Sequence, residues 1–291
     1  MKLPAPAAPR GDLADAALPT HVTQPRSPWL RPFVAGQRFV GKTWTIVGLE
    51  ARKLRHDPTE LFTRAVQPAL WLLIFGEVFS HIRAIPTGNK PYLDFMAPGI
   101  LAQSVLFIAI FAGIAIIWER DLGVVHKFLA SPTPRTALVL GKALSSGVRG
   151  LAQAVIIYLL AVILGVQVNL NPLALLGVVV IIVLGAACFS TFSLIIACLV
   201  KSRERFMGIG QVLTMPLFFA SNAIYPVSIM PGWLQVIARA NPLSYMVDAL
   251  RNLMLVGGTV TVGLALDFGV MLGATIALVL IGAALYPRVV R

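Results

Sequence analysis

Charged side chains are scarce in this chain: Asp, Glu, Lys and Arg make up 12% of its 291 residues, about half the share typical of soluble domains. With 57% of residues hydrophobic, a soluble enzyme or binding domain is excluded and the chain reads as a polytopic membrane protein. Cysteine is nearly absent. Cys188 and Cys198 share one apolar run, and along a helix they would stand about 15 Å apart, too far for a disulfide; both read as small core residues. His21, His56, His81 and His126 are scattered and show no metal-ligand spacing, so neither a metal nor any other cofactor is expected in this chain. No continuous apolar stretch of the signal-peptide kind occurs in residues 1–30, which are rich in Ala and Pro and read as a disordered cytoplasmic tail.

Charge is also missing from the middle of the apolar runs. Arg64 and Arg149 fall near one set of run ends, Glu77, Asp94 and Asp267 near the other, where each is expected to snorkel toward water. The runs therefore offer no proton relay of the kind a secondary transporter needs.

What the sequence does have is six apolar runs of spanning length, at about 61–81, 95–117, 144–166, 173–200, 206–225 and 262–286, predicting an all-α membrane protein with six transmembrane helices. Basic residues crowd before the first run, after the second (Arg120, Lys127, Arg135, Lys142), after the fourth (Lys201, Arg203, Arg205) and in the tail (Arg288, Arg291). Only Arg83, Lys90, Arg239 and Arg251 fall on the other side. Both termini are thus expected in the cytoplasm, and the net charge of +12 is explained by membrane lipid without nucleic acid.

Residues 31–58 alternate basic and apolar positions and predict an amphipathic helix lying in the interface. Within them, "GQRFVGKT" (Gly36–Thr43) fits the phosphate-loop pattern G-x-x-x-x-G-K-[ST]. That loop needs a buried strand before it, a helix after it and an α/β domain around it, and the surrounding sequence supplies none of these. It reads as a chance match on the interfacial helix. Residues 59–291 form the transmembrane domain. Residues 118–142 make a cytoplasmic loop that opens with charges and breaks at Pro132 and Pro134. Residues 225–255 are too apolar for a solvated loop, are cut short by prolines, and predict outer re-entrant helices. Trp71, Phe107, Phe111, Tyr158, Phe218 and Phe219 are the aromatic candidates for an apolar substrate path.

Three segments carry a resemblance. "ERDLGVVHKFLASPTPRTALVLGK" (Glu119–Lys142), "NPLSYMVDALR" (Asn241–Arg251) and "RHDPTELFTRAVQPALWLLIFGEVF" (Arg55–Phe79) resemble, in the right order, segments of the permease subunits of ABC transporters of the type-2 export class. The last of these looks most like the daunorubicin-type, multidrug-efflux branch. The resemblance implies an interfacial helix, six spans, and a coupling helix at about 118–130 formed by Glu119, Arg120, Asp121, Leu122, Gly123, Val124, Val125, His126, Lys127 and Phe128. That helix would dock on a separate ATP-binding subunit, in which ATP and Mg are bound. Val124 and His126 depart from the family's usual Thr and acid.

Asn241, Pro242, Tyr245, Asp248 and Arg251 make the outer motif, either a structural element or a gate. Asn241 with Pro242 can break one short helix and cap the next. The implied assembly is two ATP-binding subunits with this permease and a second, identical or homologous copy, in the plasma membrane, exporting an amphipathic drug or lipid-like substrate. The alternatives are export of polysaccharide or a lipid-linked glycan, and a polytopic membrane enzyme or secondary transporter.

Overall fold

The computed structural model describes Gly48 and residues 59–82, 91–123, 135–200, 202–258 and 262–286, all within the compact unit Phe39–Arg291. Apart from Gly48, the expected tail and interfacial helix, with the Gly36–Thr43 match, lie outside the described residues.

The described residues form helices joined by turns. α1 (Thr59–Leu70) runs into one π-helical turn (Trp71–Gly76) and on into α2 (Glu77–Ile82). Pro68 lies inside α1 and has no N–H for the Arg64 carbonyl, a break in the ladder of the kind that wide turns accompany. Then come α3 (Tyr92–Asp121), α4 (Arg135–Ile163), α5 (Pro172–Leu199) and α6 (Arg203–Phe219). A single 3-10 turn (Val227–Ile229) precedes α7 (Gly232–Ala240), α8 (Pro242–Met254) and α9 (Leu264–Leu285).

Among the described residues four helices are long and apolar enough to cross a membrane: α3, α4 from Leu138, α5 and α9. The sequence predicts six. The first of the other two runs is divided by the π turn, and the second, α6, stops after 17 residues, about 26 Å, instead of reaching Tyr225.

The stop at Phe219 has a local cause. A helix end leaves carbonyls without donors, and here each finds one. Ala220 N–H donates to Pro216 at 2.8 Å, the Ser221 hydroxyl to Phe218 at 2.6 Å and the Tyr225 hydroxyl to Phe219 at 2.5 Å. The Asn241 amide donates to Leu217 at 2.6 Å and Ala220 at 3.1 Å.

α5 is the central helix and packs against α3, α4, α8 and α9. It is apolar on every side, as a helix enclosed by others must be. Its small buried residues Gly185, Ala186, Ala187 and Cys188 let neighbouring backbones come close. Asn171 caps it by accepting from Leu173 N–H at 3.0 Å, with Pro172 at the first helical position, where a missing N–H costs nothing. α9 buries only a stripe, including Asp267, Met271, Thr275, Gly282 and Ala283. Leu272, Ile276 and Leu280 stay exposed on its other side, the surface a lipid-facing helix presents.

α3 buries nearly its whole first half. It passes so near the turn after α6 that a Cβ on Gly99 would run into the Ala223 backbone carbonyl. Asp94 and Asp267, expected to snorkel to water, are instead 9% and 0% exposed.

Candidate functional site

Two groups of residues stand at opposite ends of the bundle, and a cavity lies along one side of α3.

At the Asp121 end, helix α3 continues past the expected limit at residue 117, so Glu119, Arg120 and Asp121 are its last turn and do not start a new helix. Leu122 and Gly123 form the turn that follows. Leu122 N–H donates to Trp118 at 2.9 Å and Gly123 N–H to Arg120 at 2.9 Å, while Gly123 takes φ +71°, the left-handed conformation in which glycine ends helices. Val124, Val125, His126, Lys127 and Phe128 lie outside the described residues.

The charges on this turn reach other helices. Glu119 pairs with Lys142 of α4. Asp121 accepts from Arg120 at 3.0 Å and from Arg203 of α6 at 2.7 Å. The Arg203 guanidinium also lies 3.7 Å over the Trp118 ring. One helical turn therefore holds α3, α4 and α6 together through ion pairs at the bundle's edge. Lys142, which lies ahead of the expected run at 144, is already helical in α4 and finds its partner here.

At the Tyr92 end, the outer motif joins chain reversals. Asn241 caps α8 by accepting from Leu243 N–H at 3.0 Å while its amide holds the end of α6. Pro242 takes the first position of α8. The Tyr245 hydroxyl donates to the Arg239 carbonyl at the end of α7 at 2.7 Å. Arg251 is buried, lies 3.9 Å over the Phe95 ring, and donates to the carbonyls of Asn222 at 2.8 Å and Phe95 at 3.4 Å. Asp248 accepts from Val262 N–H at 3.2 Å, just before α9. The motif's polar atoms thus serve backbone groups at the ends of α3, α6, α7, α8 and α9, where an unmet donor or acceptor costs free energy.

The aromatic candidates fall into separate groups. Trp71 stands edge-on to Phe218 at 6.0 Å and Phe219 at 6.3 Å, and stacks on Phe75 at 4.4 Å. Phe107 and Phe111 stack on each other at 6.4 Å along a different part of α3. Tyr158 is on α4, its hydroxyl buried without a hydrogen-bond partner among the described residues.

Phe107 and Phe111 line a cavity of about 340 Å³ between α1 and α3, together with Thr63, Arg64, Gln67, Pro68, Gln103, Ser104 and Ile108. Thr63, Arg64 and Gln67 are exposed at its rim, while Gln103, Ser104 and Ile108 are buried. Gln103 escapes a search for charges or motifs because it is neutral. The available signal is a lone amide in an apolar run, since polar groups in a membrane are kept for packing or function.

Residues 42–255 match the ABC-2 type transporter family. The daunorubicin resistance ABC transporter permease protein DrrB1 of Streptomyces coeruleorubidus is 27% identical, covering 92% of this chain and 95% of its own length. The ycf38 protein of Cyanophora paradoxa is 30% identical over 74% of each chain. DrrC of Mycobacterium tuberculosis, named for doxorubicin resistance, is 23% identical over 77% of this chain and 80% of its own. With the match running from residue 42 through the outer motif, the chain belongs to the ABC-2 type transporter family, as a transmembrane permease related to drug-resistance permeases.

Proposed function

We propose that this chain is the membrane-spanning permease of an ATP-driven exporter that moves an amphipathic, drug-like or lipid-like substrate out of the cytoplasm or the inner leaflet. It acts with a second permease copy and two ATP-binding subunits, and hydrolyses nothing itself. In this reading α1 with α2 is the first span and α6 the fifth, which completes six. α7 and α8 then dip into the membrane from outside, and the Asp121 end of α3 faces the cytoplasm. The kinship with permeases named for daunorubicin and doxorubicin resistance supports the substrate class.

The observation that carries the reading is the charged last turn of α3. Residues 124–128 follow it as the docking segment for the ATP-binding subunit. A push on that segment passes through Gly123 into Glu119 and Asp121, and from them into α4 and α6. Movement of a partner is thereby delivered to three helices at once.

The test is purification of the tagged chain from its native membrane in mild detergent, followed by identification of what accompanies it and an ATPase assay. Recovery of an ATP-binding subunit is expected, as is its loss with Gly123→Pro, because proline cannot adopt φ +71°. A chain that purifies alone and without ATPase activity would overturn the proposal.

A further inference from the structure

We infer that a small cavity between α3, α4 and α5 binds an ordered water, which joins α4 to α5 beside the Glu119–Lys142 pair; the inference is independent of the exporter reading. The cavity measures about 20 Å³, room for a water and not for an organic ligand. α4 lines it with Ser145 and Ser146, and α5 with Ser190 and Thr191. All four side chains are buried. α3 contributes only Ala112, Ala115 and Ile116.

Ser146 points to the ligand. Its hydroxyl lines the cavity, is 2% exposed, and has no hydrogen-bond partner among the described residues. A helical serine ordinarily turns its hydroxyl back to the carbonyl four residues earlier, here that of Lys142. In α4 that carbonyl is the acceptor for the Ser146 N–H, and it also accepts from the Ser145 hydroxyl at 2.8 Å, so both its lone pairs are taken. The local escape is closed, and a buried hydroxyl left unmet costs free energy.

The other three hydroxyls have spent their protons. Ser145 donates to Lys142, while Ser190 and Thr191 both donate to the Ala187 carbonyl, at 3.3 and 2.7 Å. Each keeps acceptor lone pairs. The cavity therefore offers acceptors on two helices and one uncommitted hydroxyl. Water matches that set, because it can accept from Ser146 while giving its own protons to hydroxyls of α4 and α5. An anion would find a single hydroxyl proton, and the Lys142 ammonium at the cavity is paired with Glu119. α4 thus meets α3 through an ion pair and α5 through a water, about one helical turn apart.

The experiment is X-ray radiolysis of the full-length chain in nanodiscs, with a scavenger that removes hydroxyl radicals from the bulk. A radical formed from a bound water attacks only what touches it. Leu194 and Ile116 line the cavity and are 1% and 3% exposed, so mass spectrometry should find oxygen added to both. Ile181 and Leu250, each 0% exposed and outside the cavity lining, should stay unlabelled. Ser146→Val fills the space and should abolish the labels.

Thermal unfolding supplies a second readout, whose sign decides. If the Ser146 hydroxyl bonds to water, Ser146→Ala loses a hydrogen bond and should lower the midpoint by about 2–4 °C. If the hydroxyl is unmet, the same change removes a buried polar group and raises it. Labelling of Leu194 and Ile116 no greater than that of Ile181, or a raised or unchanged midpoint for Ser146→Ala, overturns the site. A parent midpoint that rises with chloride at constant ionic strength, a dependence lost in Ser146→Ala, overturns the water in favour of an anion.

Discussion

Replacing Asn241 by aspartate separates the two jobs of one side chain. Oδ1 accepts from Leu243 N–H at 3.0 Å, and aspartate keeps that cap. The amide donates to the Leu217 carbonyl at 2.6 Å and the Ala220 carbonyl at 3.1 Å. An ionised aspartate has no hydrogen to give and turns an oxygen toward two oxygens. One part-buried and one buried acceptor left without donors cost about 1–3 kcal/mol each, so Asn241→Asp should lose about 2–6 kcal/mol although its shape is kept. Asn241→Ala should lose a further 1 kcal/mol or so with the cap.

The acidity of the new carboxyl gives the sign of the pH effect. Its neutral form can donate to one of the two carbonyls and its charged form cannot, so its folded-state pKa lies above the unfolded value. The folded state then holds the proton more tightly, and stability is regained as pH falls. Thermal unfolding in detergent, followed by the fluorescence of the five tryptophans, should place the aspartate variant well below the parent at about pH 8 and narrow the gap at about pH 5. An aspartate variant as stable as the parent at the higher pH would refute the bridging role. A deficit that does not narrow in acid would refute its electrostatic origin.

Three further outcomes are expected. Gly99→Ala drives a methyl into the Ala223 backbone carbonyl and should cost about 1–3 kcal/mol in the same unfolding assay; an unchanged midpoint would contradict the close approach of α3 to the turn after α6. Arg203→Gln should leave the midpoint nearly unmoved, because both members of the Arg203–Asp121 pair are more than a third exposed and water screens such pairs. In proteoliposomes the same change should lower export by about three- to tenfold, and full export would remove the pair from the transmission path. A membrane-impermeant maleimide should label Trp233→Cys from outside intact cells and Glu204→Cys only after permeabilisation, with the buried native Cys188 and Cys198 unreactive in both; the reverse pattern would invert the proposed topology.

The long apolar helices were legible because hydrophobic length and end signals coincide. α5 was expected over 173–200 and spans Pro172–Leu199, bounded by the Asn171–Pro172 capping pair. α9 was expected over 262–286 and spans Leu264–Leu285. Ends decided by tertiary contacts were not legible. α3 extends into its charged last turn, where Glu119 meets Lys142 of α4, a pairing across 23 positions that no local pattern announces. α6 stops early because Asn241, far along the chain, supplies donors to its last carbonyls. The aromatic set illustrates the same limit: composition marks Trp71, Phe107 and Phe218 alike, yet packing sends the first and last to one cluster and Phe107 to the cavity. The outer motif could be read as a breaker and cap from Asn241 and Pro242 alone, but the reach of Arg251 to Asn222 and Phe95 could not.

The two ends of the bundle are held by different kinds of contact, and the difference bears on how a transporter of this design would move. At the Tyr92 end, Asn241, Asp248 and Arg251 are buried and bonded to backbone groups. Pulling those helices apart would strand polar groups away from water, at a cost of about 1–3 kcal/mol for each. At the Asp121 end, the Arg203–Asp121 link is partly solvated, so water can replace each partner as the contact opens. Under the proposed function, force enters at the Asp121 end. The Arg203–Asp121 contact would therefore part first, while the helices stay joined by backbone hydrogen bonds at the Tyr92 end. The cavity beside Phe107 and Phe111 lies between these two ends on α3.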